Sequence, residues 1–238
     1  MLFEELSIVF KCLLIMLCIV VLVYIIQPAY QENFTSNDTS VYYKIYDSIF
    51  YKPLDTQYEF AHIINTMSTK SRILDIGSGT GHRVKELHKR GLRVTGLEES
   101  DLLCRDTLRR YPTCNIQIGS PSNTLIFQPE SFTHILCLDS TIYKYKDKSN
   151  LVENIRQWLE PNGLFIVHVS EHKKPTKGKY QSSITGNLLV ETVHERGQSA
   201  RQHSKIYPES TSHILYMIQQ HGFLQVANYD HVYSFKKI

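Results

Sequence analysis

The sequence lacks the features that mark several protein classes. Its five cysteines form no framework: Cys12 and Cys18 lie in an apolar N-terminal stretch, and Cys104, Cys114 and Cys137 are scattered. There is no CxxC pair and no histidine at metal-ligand spacing. A structural zinc or a disulfide-stapled fold is therefore not expected, no metal-binding residues are assigned, and the thiols read as buried or incidental. Charge of one sign is also scarce. A net charge of +3 over 238 residues is too weak to point to nucleic acid. No internal repeat and no low-complexity tract breaks the chain. What remains is a globular composition, 42% hydrophobic and 21% charged, on a chain long enough for one full core.

One long apolar run is present. Cys12 to Ile26 is uncharged, and extension back to Leu6 gives about 21 residues broken only by Ser7 and Lys11. That length spans a hydrocarbon core as a helix. Lys11 can snorkel, Tyr24 and Tyr30 suit an interface, and Pro28 ends the run. A cleaved signal peptide is the rival, but Gln27-Pro28-Ala29-Tyr30-Gln31 is a poor cleavage site; a buried core helix is the third reading. The expected organisation is an anchor over 1–30 that meets the membrane through 6–26, a polar tether over 31–40, and one domain over 41–238. Flanking charges do not set the orientation. Asn33 and Asn37 each open a glycosylation sequon, which matters only in a lumen.

From Val41 the chain is aromatic, with Tyr42, Tyr43, Tyr46, Phe50 and Tyr51, and helical spacing follows over Thr56–Met67. Strands and helices then alternate. Arg72–Ile76, Arg93–Glu98, Asn115–Gly119, Thr133–Leu138 and Leu164–Val169 read as strands. Helices are expected over Thr80–Arg90, from a Ser100 cap to Tyr111, and from a Ser149 cap through Leu159. Glu160-Pro161-Asn162-Gly163 reads as a turn. This order predicts an α/β fold with a mostly parallel sheet and helices on both faces. Asn187–Glu195 and Arg201–Tyr207 read as a hairpin or irregular insertion. A helix over Ser210–His221 precedes two antiparallel edge strands, Phe223–Tyr229 and Val232–Lys237.

The chemistry concentrates in Ile73-Leu74-Asp75-Ile76-Gly77-Ser78-Gly79-Thr80-Gly81, which follows a strand and opens a helix. Glycines at 77, 79 and 81 let backbone pass close beneath a ligand. Glu98 ends the next strand, seventeen positions after Gly81, where a carboxylate can accept both hydroxyls of a ribose. The pair describes a nucleoside site. The dinucleotide pattern G-x-G-x-x-G is absent, and Asp75 would repel a pyrophosphate while suiting an amino-bearing cation. This argues against a nicotinamide oxidoreductase. The ligand that joins an amino acid, a sulfonium and a ribose is S-adenosyl-L-methionine.

The segment from Ile73 to Gly81 resembles the first motif of class I S-adenosylmethionine-dependent methyltransferases, and Val94–Glu98 resembles their second-strand motif. Ser131–Leu136, Leu159–Leu164 and His221-Gly222-Phe223 are similar to three later motifs, in order. The resemblance covers about Tyr42 to Ile238 and is nearest to the small-molecule group that includes ubiquinone-biosynthesis methyltransferases. It implies a Rossmann-like seven-stranded sheet with the last strand antiparallel. It implies that Asp75, Gly77, Ser78, Gly79 and Gly81 contact the methionine part, and Glu98 the ribose. Ser120 stands where the family carries an acid facing adenine, and Thr133-His134 departs from the usual Phe-Asp. Asp139, after the fourth strand, falls near the methionine part or the acceptor.

Methyl transfer is a displacement at a sulfonium carbon with a good leaving group, so alignment and desolvation carry much of it. A base is required only when the acceptor must lose a proton. Asp139, Tyr143 and His168 are the catalytic candidates, with Glu171 and His172 nearby. No Asn/Asp-Pro-Pro-Tyr/Phe segment follows the fourth strand, which disfavours methylation of base amino groups. Tyr42, Tyr46 and Tyr51 could close over the cofactor, and the basic loop His172–Lys179 could meet an anion. The expected activity is methyl transfer to a small or lipid-proximal acceptor, the domain facing the cytosol where the cofactor is made. A non-catalytic partner or scaffold of the same fold is the alternative.

Overall fold

A computed structural model of the chain describes residues 36–51, 62–170, 179–195 and 198–238. The central strand, β1 (Arg72–Ile76), is buried except at Arg72. Its side chains alternate between two layers. Leu74 and Ile76 join one core cluster with Trp158, Phe165 and Phe235. Ile73 joins another with Val84, Leu87, Leu136 and Ile166. Only a strand covered on both faces reads as so continuous an apolar run.

Around β1 lie β2 (Arg93–Glu98), β3 (Asn115–Ile118), β4 (Phe132–Cys137), β5 (Leu159–His168), β9 (Phe223–Tyr229) and β10 (Val232–Lys237), in the order β3-β2-β1-β4-β5-β10-β9. The pairs β1–β2, β1–β4, β2–β3 and β4–β5 are parallel. β10 runs antiparallel to both of its neighbours. The seven-stranded sheet matches expectation, but β9 and β10 are not both edge strands. β10 is inserted between β5 and β9, and its Phe235 is fully buried.

Helices α2 (His82–Lys89), α3 (Asp101–Arg110), α4 (Lys148–Trp158) and α5 (Thr211–Gln220) fill the crossovers, and α1 (Ser36–Phe50) precedes the sheet. α2 begins two residues later than expected because Gly81, its N-cap, is left-handed. Ser100 caps α3 as expected. α4 is capped by Asp147, whose carboxylate accepts from the Asn150 amide, rather than by Ser149. The Ser149 hydroxyl instead pairs with His221 Nε2 at 2.9 Å. The expected turn at Glu160–Gly163 is a bulge inside β5: Leu159 pairs with Phe132, the register then shifts, and Leu164 pairs with His134. α1 starts inside the stretch read as a tether. It packs on a second antiparallel sheet of β6 (Tyr180–Thr185), β7 (Leu188–Glu195) and β8 (Gln198–Lys205), through a cluster of Tyr42, Ile45, Tyr180, Val193 and Ala200. β7 and β8 form the expected hairpin; β6 was not expected.

No helix among the described residues is long and apolar enough to cross a membrane. The apolar run 6–26, the Asn33 sequon, residues 56–61 of the expected helix and Glu171–Gly178 of the basic loop lie outside the described residues. Cys104, Cys114 and Cys137 are buried free thiols.

Candidate functional site

Strand order reverses at β1, whose neighbours are β2 and β4. Ligands of open α/β sheets sit beyond the carboxyl ends of strands at such a switch point. The loop that leaves β1 there is pinned to β2. The amides of Gly77 and Ser78 both donate to Leu97 O, at 2.8 and 3.1 Å. The Gly79 amide donates to Glu98 Oε2 at 3.0 Å, and the Ser100 amide to Glu98 Oε1 at 2.9 Å. Two backbone donors thus aim the Glu98 carboxylate before any ligand arrives, and each oxygen keeps lone-pair capacity.

The glycines do different work, although all three have positive φ. A Cβ on Gly77 would lie 2.6 Å from Thr141 Cγ2, and one on Gly81 2.1 Å from Thr107 Cγ2. Those two are demanded by protein packing. A Cβ on Gly79 would meet only Gly77 O at 3.9 Å, so Gly79 alone of the three faces open space. The space that a ligand beneath the loop would need is thus filled by protein at Gly77 and Gly81 and open at Gly79.

Beside this loop is a cavity of about 310 Å³ lined by Gly77, Glu98, Glu99, Ser100, Lys144 and Tyr145. Ser120 is not among its lining residues; its hydroxyl accepts from the Ser122 amide at 3.3 Å. Lys144 and Tyr145, on the turn after β4, form wall that the sequence motifs did not reveal. A larger hollow lies at the other end of the sheet, away from these groups.

Asp75 is wholly buried. Its Oδ1 accepts from Arg83 Nη1 at 2.8 Å, and Arg83 Nη2 donates to Asp139 Oδ2. One guanidinium therefore joins the ends of β1 and β4. Burial disfavours the charged Arg83, but the two carboxylates outweigh it and hold the group protonated. Burial pushes the Asp75 carboxyl above its ordinary value, with Arg83 opposing. Asp75 Oδ2 and the Ser78 hydroxyl are buried polar atoms with no hydrogen-bond partner. Leaving such groups unmade costs about 1–3 kcal/mol each, a cost that a polar ligand would remove. The Asp139 side chain is 72% exposed, and Asp139 and Ser140 are both left-handed without being glycine. Strained backbone of this kind clusters at ligand sites.

The other catalytic candidates lie at the same ends of β4 and β5 in different surroundings. Tyr143 is 1% exposed and belongs to the main core cluster, while its carbonyl accepts from the Tyr207 amide at 2.7 Å. His168 ends β5, half-buried opposite Val232, its ring 6.4 Å from that of His231. Sequence reasoning missed Arg83, which carries no motif, and Asp47. Asp47 on α1 accepts from the Thr80 hydroxyl at 2.8 Å and pairs with His82 Nε2 at 3.0 Å. Tyr51 stacks on His82 at 4.2 Å and donates to Glu86. Of the expected aromatic closure, Tyr51 meets the first turn of α2, while Tyr42 and Tyr46 pack toward Tyr180 and Phe50.

Residues 74–167 match the family described as a methyltransferase domain. A dTDP-4-amino-2,3,4,6-tetradeoxy-D-glucose N,N-dimethyltransferase of Saccharopolyspora spinosa is 25% identical over 111 residues, 46% of this chain and 45% of that protein. The chain thus matches less than half the length of that relative. Among solved structures, DesVI of Streptomyces venezuelae superposes with a TM-score of 0.67 at 14% identity, over 86% of this chain and all of that one. CalS10 of Micromonospora echinaspora, an amino pentose methyltransferase with S-adenosylmethionine bound, gives 0.64 at 16% identity, over 83% of this chain and 97% of that one. The fold is that of the S-adenosylmethionine-dependent methyltransferases.

Proposed function

We propose that this chain binds S-adenosylmethionine on the Gly77–Gly81 loop and transfers its methyl group to a small-molecule acceptor, an amino sugar in first place. The observation that carries the reading is the open flank of Gly79 beside a Glu98 carboxylate already aimed by two backbone amides. Glu98 would hold the ribose hydroxyls. Asp75 Oδ2 and the Ser78 hydroxyl, both unsatisfied, would take the polar end of the methionine part. The cofactor supplies a methyl group on a sulfonium that leaves as a neutral thioether. Asp139, exposed just after β4 and held by Arg83, would orient the acceptor and take the proton that an amine sheds as its nitrogen gains the methyl. Asp139 is exposed where Tyr143 is buried, which makes it the better base. An amine rather than a quinone is favoured by the names of the similar proteins, two of which specify amino sugars.

The apolar run 6–26 would hold this domain at a membrane on the cytosolic side, supported by its length and its lack of charge after Lys11. The test is calorimetry on the full chain in neutral-detergent micelles, followed by a turnover assay on an amino-sugar nucleotide panel. Micromolar binding lost in Gly79→Arg, with methyl transfer to an amine, is the expected result. No binding of S-adenosylmethionine would sink the reading; binding without turnover on any acceptor would favour a partner subunit. Carbonate extraction of cell membranes tests the anchor, which release into the supernatant would refute.

A further inference from the structure

The larger hollow, about 550 Å³, lies at the opposite end of the sheet from the cofactor loop. Four strands contribute their first residues to it: Arg72, Arg93, Asn115 and Phe132. His88 and Gly91, at the end of α2, complete that rim. Its floor is apolar, with Ile73, Leu92, Val94 and Phe132 each less than 10% exposed. No acid lines it. Lys70 adjoins the rim, since Arg93 Nη2 donates to the Lys70 carbonyl at 3.3 Å, and Lys89 and Arg90 are exposed beside Gly91.

Basic residues at this end have a plainer use, because helix C-termini carry partial negative charge. His88 and Lys89 sit in the last turn of α2 and answer that need. Lys70, Arg72 and Arg93 lie outside the helices and are not required by it. Glu160 pairs with Arg72 at 2.8 Å, whereas Arg93, at the mouth of the apolar-floored groove, has no ion-pair partner among the described residues. Cations around an apolar floor complement a phosphate carried on an apolar body.

We propose that this groove is a second binding site, for a phosphate-bearing amphiphile, with Arg93 as its principal cation and His88 on the same rim. Lipid headgroups and free phosphate compounds both offer that chemistry. A ligand here would not compete with the cofactor, which binds beyond the other ends of the same strands. A lipid here would turn the methyl-transfer mouth away from the bilayer. The proposal does not depend on the chain being a methyltransferase.

The test is calorimetric titration of the full chain in neutral-detergent micelles with dihexanoyl phosphatidic acid, inorganic phosphate and dihexanoyl phosphatidylcholine. Saturable binding of the phosphatidic acid, weakened about tenfold or more by Arg93→Glu, is expected. Arg93 is exposed, and unchanged far-ultraviolet dichroism and thermal midpoint in the variant confirm that the fold is kept. Inorganic phosphate binding as tightly as the lipid would leave the apolar floor without a role and overturn the amphiphile site. Equal binding of the two lipids, binding indifferent to Arg93→Glu, or no saturable binding of either anion would overturn it.

Discussion

Arg83 holds two carboxylates from different strands on one guanidinium, and one of them, Asp75, has no access to water. Removing one partner of a buried ion pair leaves the other charge stranded, at a cost of about 3–5 kcal/mol. Arg83→Met should therefore lower stability by about 3 kcal/mol, read as a shift in the urea midpoint. Arg83→Lys, keeping the charge but not the fork, should lose less. Asp139→Asn tests the other end of the triad. Its exposure predicts little change in stability, while turnover on an amine should fall by about 10²–10⁴ with cofactor affinity nearly unchanged. Equal loss of affinity and turnover would make Asp139 a binding residue instead. The glycines give a further contrast. Gly79→Ala should fold and bind cofactor poorly, whereas Gly81→Ala should lose stability through the Thr107 contact. Asp75, Gly79 and Glu98 were legible in the sequence because their motif is local. Arg83 was not, because its role depends on Asp139, 56 positions away in the chain.

At the scale of elements, α1 belongs with the glycine loop although Asp47 and Thr80 are 33 positions apart. Asp47→Ala removes the acceptor of the Thr80 hydroxyl and the partner of His82. A hydrogen bond of this kind contributes about 1 kcal/mol, so cofactor affinity should weaken about five- to tenfold. Unchanged affinity would mean that α1 supports the fold alone. The strands β1, β2 and β4 could be read directly, since strands buried on both faces are written as apolar runs. The position of β10 could not. Its pattern fixes which side chains face inward, but the choice between an edge and the slot beside β5 is made by long-range pairing. The α4 cap was missed for a smaller reason: Asp147 and Ser149 are both good caps, and His221 engages the serine. β6 reads Tyr-Gln-Ser-Ser-Ile-Thr, too polar to announce itself, and it is drawn into order by the rings of α1.

The whole molecule should respond to pH through His134. The ring is buried between Thr133 and Thr66, its Nδ1 2.7 Å from the Thr133 hydroxyl and its Nε2 3.3 Å from that of Thr66. Burial, opposed by Glu160, lowers its pKa below the ordinary 6.5. A base depressed by folding favours the neutral form. Its stabilising effect is complete above pH 6.5 and declines as pH falls from there toward the folded-state value. The thermal midpoint should drop over that window, and His134→Leu should flatten the drop; an identical slope in the variant would assign it to other groups.

The stretch that matches the methyltransferase family begins at residue 74, yet the acceptor of the Thr80 hydroxyl stands at residue 47. A truncation cut to the family boundary would give a protein with every glycine of the loop in place and the brace behind it missing.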